Sequence, residues 1–345
     1  MSKLSQVEPL VYPADALRID ASREVERLGR ALRQDLQGRF RRRGAVVGCS
    51  GGVDSSVVMA LCAQALGPQR VLAVLLPERE SSPESVTLAR AWAEALGVET
   101  VTEDITGALE GAGCYRRRDE AVRRVFPAYG PGWKCKITLP DDLLEKETLN
   151  VFSLTVVTPQ GKELRERLLS EDYFQVVAAS NFKQRTRMAM LYYHAEHRNY
   201  AVVGTANKNE HDLGFFVKHG DGAVDLAPIQ HLFKSQVYRL AEQLGVPEEI
   251  RRRTPTSDTY SAGSTQEEFF FRIPFDVLDH IWCGWERGIA PEAIAAGLEL
   301  TADQVQRVID DIVRKKRTTD YLRSAVISYP LPSRSNLDRE AAPEG

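Results

Sequence analysis

The stretch GAVVGCSGGVDSSVVMALCAQALG, residues 44–67, changes its periodicity midway. Ala45 to Cys49 is a continuous run of small and β-branched apolar residues, the pattern of a strand buried on both faces. Ser55 to Leu66 reads as a helix, and Gly67-Pro68 terminates it. A parallel strand that feeds a glycine turn and then a helix brings backbone N–H groups and a helix N-terminus to the carboxyl edge of a sheet, which makes an anion site. The turn SGGVDSS has neither the G-x-x-x-x-G-K-[ST] nor the G-x-G-x-x-G spacing, so a phosphate would be held in another way. Ser50, Gly51, Gly52, Ser55 and Ser56 can supply donors. Asp54 can supply a magnesium ligand, because a carboxylate aimed at a phosphate repels it unless a cation stands between them.

The same alternation continues on either side. RVLAVLLP (70–77), VETVTED (98–104) and NYAVVGT (199–205) read as further strands, with a helix over 83–96, and together they predict an α/β fold built on a doubly wound parallel sheet. Leu17, Ile19, Val25, Leu28, Leu32 and Leu36 predict an amphipathic helix within residues 15–43. Residues 114–180 break the rhythm with the helix-like YRRRDEAVRRVF, the turn-rich PAYGPGWK, and three β-leaning pieces, KCKITLP, NVFSLTVVTP and YFQVVAAS. The TPQGKEL turn between the last two predicts a β-rich insertion. After residue 267 the pattern is helical. The chain is therefore expected to divide into a sheet domain over 1–266 carrying the insertion at about 114–180, a helical C-terminal region over 267–330, and a disordered tail over 331–345. Within the helical region, Asp303, Asp310 and Asp311 make TADQVQRVIDDIVRKKR (301–317) a packing helix rather than one that reads DNA.

The chain has 345 residues, 43% of them hydrophobic, enough to fill a core. Its net charge of -3, with both signs interspersed, argues against the single-sign field of a generic nucleic-acid or membrane-surface binder. The basic RFRRRG (39–44) reads as the solvated end of the first helix rather than as a phosphate-binding cluster. No apolar run approaches the roughly 20 residues that span a bilayer, and MSKLSQVEPL lacks a signal-peptide core, so a cytoplasmic protein is expected. The five cysteines form no C-x-x-C pair and no ligand spacing with the six histidines, which argues against a zinc site or a disulfide framework. Cys49, Cys62 and Cys283 read as small buried hydrophobes.

SGGVDSS resembles the pyrophosphate-binding loop of the ATP pyrophosphatases, the family that includes NAD synthetase, GMP synthetase, asparagine synthetase and tRNA thiolation enzymes. NFKQRTRMAMLYYH (181–194) and GTANKNEHDLGFFVKHGDGAVDLAPIQHLFKSQV (204–237) resemble the NAD synthetase branch, whose long signature Gly204, Thr205, Glu210, Gly214, Lys218, Gly220, Asp221, Asp225, Pro228 and Lys234 match. TPTSDTY (254–260) resembles the start of that family's flexible lid, and Lys315-Lys316-Arg317 stands where the family has His-Lys-Arg. The resemblance implies ATP contacts at Gly48, Ser50, Gly51, Gly52, Val53, Asp54, Ser55, Ser56, Arg185, Thr205, Lys234 and Thr256. It implies Asp54 and Glu210 as ligands of a magnesium cofactor, with Lys234 as their catalytic partner. It also implies that Lys218, Asp221, Asp225, Lys315 and Lys316 hold deamido-NAD. The activity implied is ATP-dependent amidation of that carboxylate through an acyl adenylate, by a homodimer.

No cysteine has a histidine and an acid set around it as in a glutaminase, and some forty residues precede the first strand, so ammonia is expected to arrive free or from a separate glutaminase. Three features depart from the short members of the family: the length of 114–180, Ser257-Asp258-Thr259 in place of Ala-Asp-Leu, and TTDYL after Arg317. They leave room for a paralogous adenylating amide synthetase that acts on another carboxylate. A non-catalytic nucleotide-binding protein would not need both magnesium carboxylates, and a tRNA thiolation enzyme would need persulfide cysteines and a basic RNA surface. Arg116, Arg117 and Arg118, in the charged part of the insertion, are expected to meet an anionic acceptor.

Overall fold

The computed structural model describes residues 12–13, 15–139, 143–144, 152–256, 260–263 and 265–329. In chain order the first half runs α1 (Ala21–Arg33), β1 (Ala45–Gly48), α2 (Val53–Leu66), β2 (Val71–Leu75), α3 (Pro83–Ala95), β3 (Glu99–Thr102), α4 (Thr106–Gly111), α5 (Cys114–Val125), β4 (Lys134–Thr138), β5 (Ser153–Val157) and β6 (Glu163–Arg167). The second half runs α6 (Ser170–Arg198), β7 (Ala201–Val203), α7 (Lys208–Leu213), α8 (Lys234–Gln243), α9 (Glu248–Arg252), α10 (Phe275–Glu286), α11 (Pro291–Leu298), α12 (Ala302–Thr318) and α13 (Asp320–Arg323).

The apolar runs form a parallel sheet in the order β3-β2-β1-β7, with Ala45 registered on both Val71 and Ala201. Successive strand residues point to opposite faces, and two cores follow from that. Val47, Ala73 and Val203 pack with Leu28, Val57, Leu61, Val237 and Leu240 from α1, α2 and α8. Val46, Leu72, Val74 and Val202 pack with Leu109, Tyr115, Met188 and Leu191 from α4, α5 and α6. Helices on both faces of a parallel sheet are the doubly wound arrangement expected from the sequence. Asp20 accepts from Arg23 N at 3.0 Å and so starts α1 at Ala21, leaving Leu17 and Ile19 ahead of it.

The insertion contains an antiparallel sheet, β4-β5-β6, and the TPQGKEL turn closes the second hairpin, with Val157 opposite Glu163. Its third strand, however, is ELRER and not YFQVVAAS, which lies in the first turns of α6. β6 is an edge strand whose side chains are mostly exposed, so it carries charge and gives no apolar signal. YFQVVAAS is helical because Asp172, Val176, Ala179 and Lys183 recur on one buried face, where α6 packs against α5.

A third core joins Ile281 and Trp282 of α10, Ile294 of α11, and Val305, Val308 and Ile312 of α12, which makes 301–317 a packing helix as read. All five cysteines are buried and unpaired. Burial pushes the Cys49 and Cys62 thiols up to about 12, as suits inert core residues. Among the described residues no helix is long and apolar enough to cross a membrane. The tail 331–345 and Ser257-Asp258-Thr259 lie outside the described residues.

Candidate active site

The turn after β1 is shaped by a glycine that nothing else could replace. Gly51 has φ +74, and a Cβ built there would lie 2.4 Å from Ser85 O at the start of α3. Gly52 caps α2, and its carbonyl accepts from Ser55 Oγ at 3.1 Å and Ser56 Oγ at 2.9 Å, while Ser50 N donates to Ser55 Oγ at 3.3 Å. The hydroxyls thus tie the turn to the first helical turn and set its N–H groups at the carboxyl edge of the sheet. The Val53 side chain is buried in the core, so that only its backbone faces this edge.

Asp54, in the first turn of α2, meets residues from two distant elements. Asn207 Nδ2 donates to Asp54 Oδ1 at 3.0 Å, and Lys234 Nζ, on the first residue of α8, forms an ion pair with Oδ2. Asn207 also caps α7: Glu210 N donates to Asn207 Oδ1 at 3.0 Å, and Asn207 N donates to Glu210 Oε2 at 3.1 Å. Gln266 Nε2 donates to Glu210 Oε1 at 3.2 Å. The structure therefore brings Asp54, Glu210 and Lys234 into one cluster, and Asn207 holds it together.

Its charge is unbalanced. Lys234 is buried and paired with Asp54, and its charge acts on both carboxylates. Burial, and then the Asp54 charge, push the Glu210 carboxyl up to about 8 against the opposing effect of Lys234. A further cation would relieve that cost. Two hard carboxylates, with phosphate oxygens and water to complete the shell, suit magnesium. Among the described residues no group of three or more His, Cys, Asp or Glu side chains forms a denser metal cluster.

The other residues read from the sequence occupy distinct places. Thr205 follows β7 at the same edge, and Thr256 forms an isolated bridge with Thr265. Arg185, exposed on α6, donates from Nε to Lys218 O at 3.2 Å, while Lys218 Nζ donates to Tyr321 O at 2.8 Å and Ser324 O at 3.0 Å. Asp225 accepts from Val202 N at 2.8 Å and from Tyr192 Oη at 3.2 Å. Asp221 accepts from Val217 N at 2.8 Å, and burial pushes it up to about 6. Lys315 and Lys316, on α12, are already engaged: Lys315 is buried on Asp311 at 2.7 Å and Phe270 O at 2.7 Å, and Lys316 lies 4.0 Å from Asp212 on α7.

The reading of 116–118 as acceptor contacts fails for Arg118. It is buried and ion-paired to Glu80 at 2.6 Å and Asp119 at 2.8 Å. Glu80 also receives Lys183 Nζ at 2.7 Å, and Lys183 reaches Glu78 at 3.0 Å, where Tyr115 Oη donates at 2.6 Å. This network ties the loop after β2 to α5 and α6. Arg116 pairs with Glu120 on the surface. Sequence reasoning missed both Asn207 and Lys183. The N-x-x-E of NKNE (207–210) is a capping-box signal that could have found Asn207, whereas a lysine within a helix carries no mark of burial.

A doubly wound parallel sheet carries a hydroxyl-lined glycine turn at its carboxyl edge, with an aspartate, a glutamate and a lysine converging beside it, the arrangement expected from the resemblance to the ATP pyrophosphatases. The family profile described as NAD synthase matches residues 24–120 and 146–320. The chain is 51% identical over 312 residues to an NH(3)-dependent NAD(+) synthetase of Rhizobium rhizogenes, covering 90% of this chain and 94% of that one. It is 42% identical over 239 residues to the protein of that name from Thermotoga maritima, covering 69% and 79%. This chain belongs to the NAD synthase family. Among solved structures it shares its fold with NMN synthetase from Francisella tularensis (TM-score 0.62, 21% identity, 91% of this chain and 100% of that one). It likewise shares its fold with NH3-dependent NAD synthetase from Campylobacter jejuni (TM-score 0.58, 20% identity, 90% and 100%).

Proposed function

We propose that this chain joins ammonia to the carboxylate of deamido-NAD at the expense of ATP, giving NAD, AMP and pyrophosphate. The observation that carries the reading is the convergence of Asp54, Glu210 and Lys234 beside the glycine turn, in a chain half identical to NH(3)-dependent NAD(+) synthetases. A carboxylate oxygen attacks the α-phosphorus, the bond to the β-phosphate oxygen breaks, and pyrophosphate leaves with the electron pair. Ammonia then attacks the acyl carbon of the adenylate, loses a proton, and AMP departs.

The residues divide this work. N–H groups of the turn and the hydroxyls of Ser50, Ser55 and Ser56 receive phosphate, and Lys234 offsets the charge that grows on the departing oxygen. Asp54 and Glu210 would hold magnesium, which when bound supplies electrophilic stabilisation of phosphate charge worth several kcal/mol. Arg185, Thr205 and Thr256 complete the ATP contacts in this reading. Lys218, Asp221, Asp225 and Lys316 serve deamido-NAD, whereas Lys315, buried on Asp311 and the Phe270 carbonyl, fastens α12 and is withdrawn from that set.

The protein acts as a cytoplasmic homodimer in this reading. Phe174, Phe182 and Tyr193 support the dimer: they are exposed at 65%, 38% and 59% and lie within about 100° of one another around α6, an apolar stripe suited to a second copy. Ammonia is free or supplied by a separate glutaminase.

The test is pyrophosphate release with ATP, magnesium and ammonium across a panel of carboxylates. Release that depends on deamido-NAD is expected. Release with another carboxylate but not with deamido-NAD would transfer the reading to a paralogous amide synthetase.

A further inference from the structure

The opposite edge of the sheet carries a second basic feature. Arg42 and Arg43 precede β1, Arg70 precedes β2, and His197, Arg198 and Tyr200 precede β7, so the amino ends of three adjacent strands converge on one place. These side chains line an open surface cavity of about 690 Å³. Six residues of chain lie between Arg43 and Ser50, a span on the order of 20 Å at the rise of a strand. The cavity is therefore not part of the glycine-turn site.

Four guanidinium groups share this cavity, and their acidic compensation is slight. Arg198 pairs with Glu99 at 2.6 Å, yet its Nε is buried with no hydrogen-bond partner among the described residues. Arg42 donates to Asn199 Oδ1 at 2.6 Å, a neutral partner. Among the described residues, none of Arg42, Arg43 and Arg70 pairs with a carboxylate, and all three are exposed. The packing behind them is close: a Cβ on Gly44 would lie 2.2 Å from Arg70 O and 2.7 Å from the Tyr200 ring. That contact holds the chain before β2 and the chain before β7 against the residue that follows Arg43, so the arginines project from a rigid base.

We infer that this cavity binds a small anion bearing two or more phosphate groups, at a site separate from the one that binds ATP for catalysis. One carboxylate or monophosphate would leave most of the charge of Arg42, Arg43 and Arg70 uncompensated, whereas linked phosphates give each planar fork an oxygen pair. The site goes beyond the amide-forming reading and does not depend on it.

The experiment is calorimetric titration of sodium tripolyphosphate into the full chain, with the glycine-turn site filled by one equivalent each of a non-hydrolysable ATP analogue and magnesium. One additional binding event is expected. Arg43→Ala/Arg70→Ala should weaken it at least tenfold while leaving kcat and the KM for ATP within twofold of wild type. Asp54→Asn should leave it unchanged. Arg43→Gln/Arg70→Gln, which keeps side-chain bulk and polarity, provides the same test if the alanine pair folds poorly. No event in the filled protein, equal affinity in the double variants, or tighter binding of a short single-stranded RNA than of tripolyphosphate would each overturn the assignment.

Discussion

Lys234 and Lys183 are both buried lysines on helices, and both face carboxylates from other elements, yet the two regions are built to different ends. Around Lys183 the charges close on themselves. Glu78 and Glu80 are met by Lys183, Arg118 and the Tyr115 hydroxyl, and the Glu80 carboxyl is held below its usual range by Lys183 and Arg118 despite its burial. Around Lys234 they do not close, and Glu210 is left with a raised carboxyl beside Asp54. A balanced network fastens elements together. An unbalanced one is incomplete until a ligand supplies the missing charge, which supports the proposal that it is the site.

The contrast would break if substitutions in the two regions had the same effect. The largest effect is expected at the unbalanced cluster. Asp54→Asn or Glu210→Gln should cut kcat/KM on the order of a thousandfold, about 4 kcal/mol of barrier, with circular dichroism unchanged. Pyrophosphate release at the wild-type rate in either variant would refute the assignment. Lys183→Met should do the reverse. A buried and a half-buried carboxylate that lose a counter-charge are expected to cost about 3 kcal/mol of stability, read from the urea midpoint, while KM for ATP in the folded protein stays within threefold. A large rise in that KM without loss of stability would move Lys183 into the site.

Asp279 sharpens the comparison, because it is a buried carboxylate that anchors the start of α8 from below. It accepts from Asn209 Nδ2 at 2.5 Å and Ser235 N at 2.8 Å, and burial pushes it up to about 6. Since the folded value lies above the unfolded one, its contribution is fully present below about pH 4 and is lost as pH rises through about 6. Between pH 4 and pH 7 wild type should therefore lose about 2 kcal/mol of stability relative to Asp279→Asn. A difference that does not vary with pH would mean that Asp279 keeps an ordinary carboxylate value in the folded chain.

Gly51→Ala forces a strained φ and a contact with Ser85 O, so KM for ATP should rise about tenfold with that for deamido-NAD unchanged; equal rises would show that the turn serves both substrates. The smallest effect belongs to Arg116→Ala. An exposed i,i+4 pair with Glu120 contributes about 0.3–0.5 kcal/mol, and neither KM should move more than twofold. A selective rise for deamido-NAD would restore an acceptor role to the insertion.

What the sequence discloses follows the same division. Strands buried on both faces must be apolar throughout, so AVVG and VLAVL are legible, and the glycine turn between a strand and a helix exposes the phosphate edge. Asp54 is legible from the turn itself, whereas Glu210 and Lys234 are legible only because their spacing matches a family signature; the meeting of the three in space depends on crossovers that no local pattern encodes. Edge strand β6 is charged because it is exposed, and YFQVVAAS has β-branched residues because one face of α6 is buried, so local propensity misassigned both. Arg42 and Arg43 are exposed, as a charge run suggests, but the sequence reading sets aside the phosphate role inferred above. That Arg70 and Arg198 stand beside them follows from the sheet order alone.

The pairing of β1 with β7 also governs how the chain is made. β1 is synthesised early, but its second neighbour follows roughly 150 residues later, a delay on the order of ten seconds at 5–20 residues per second. Through that interval one side of β1 has no partner strand, and an unpaired apolar edge invites the wrong one. β4, β5 and β6 join consecutively through antiparallel pairing, whose low contact order lets the meander close first. The insertion can thus be a finished piece on the ribosome before the sheet it interrupts is complete, and α6 then delivers β7 from that piece to the waiting edge.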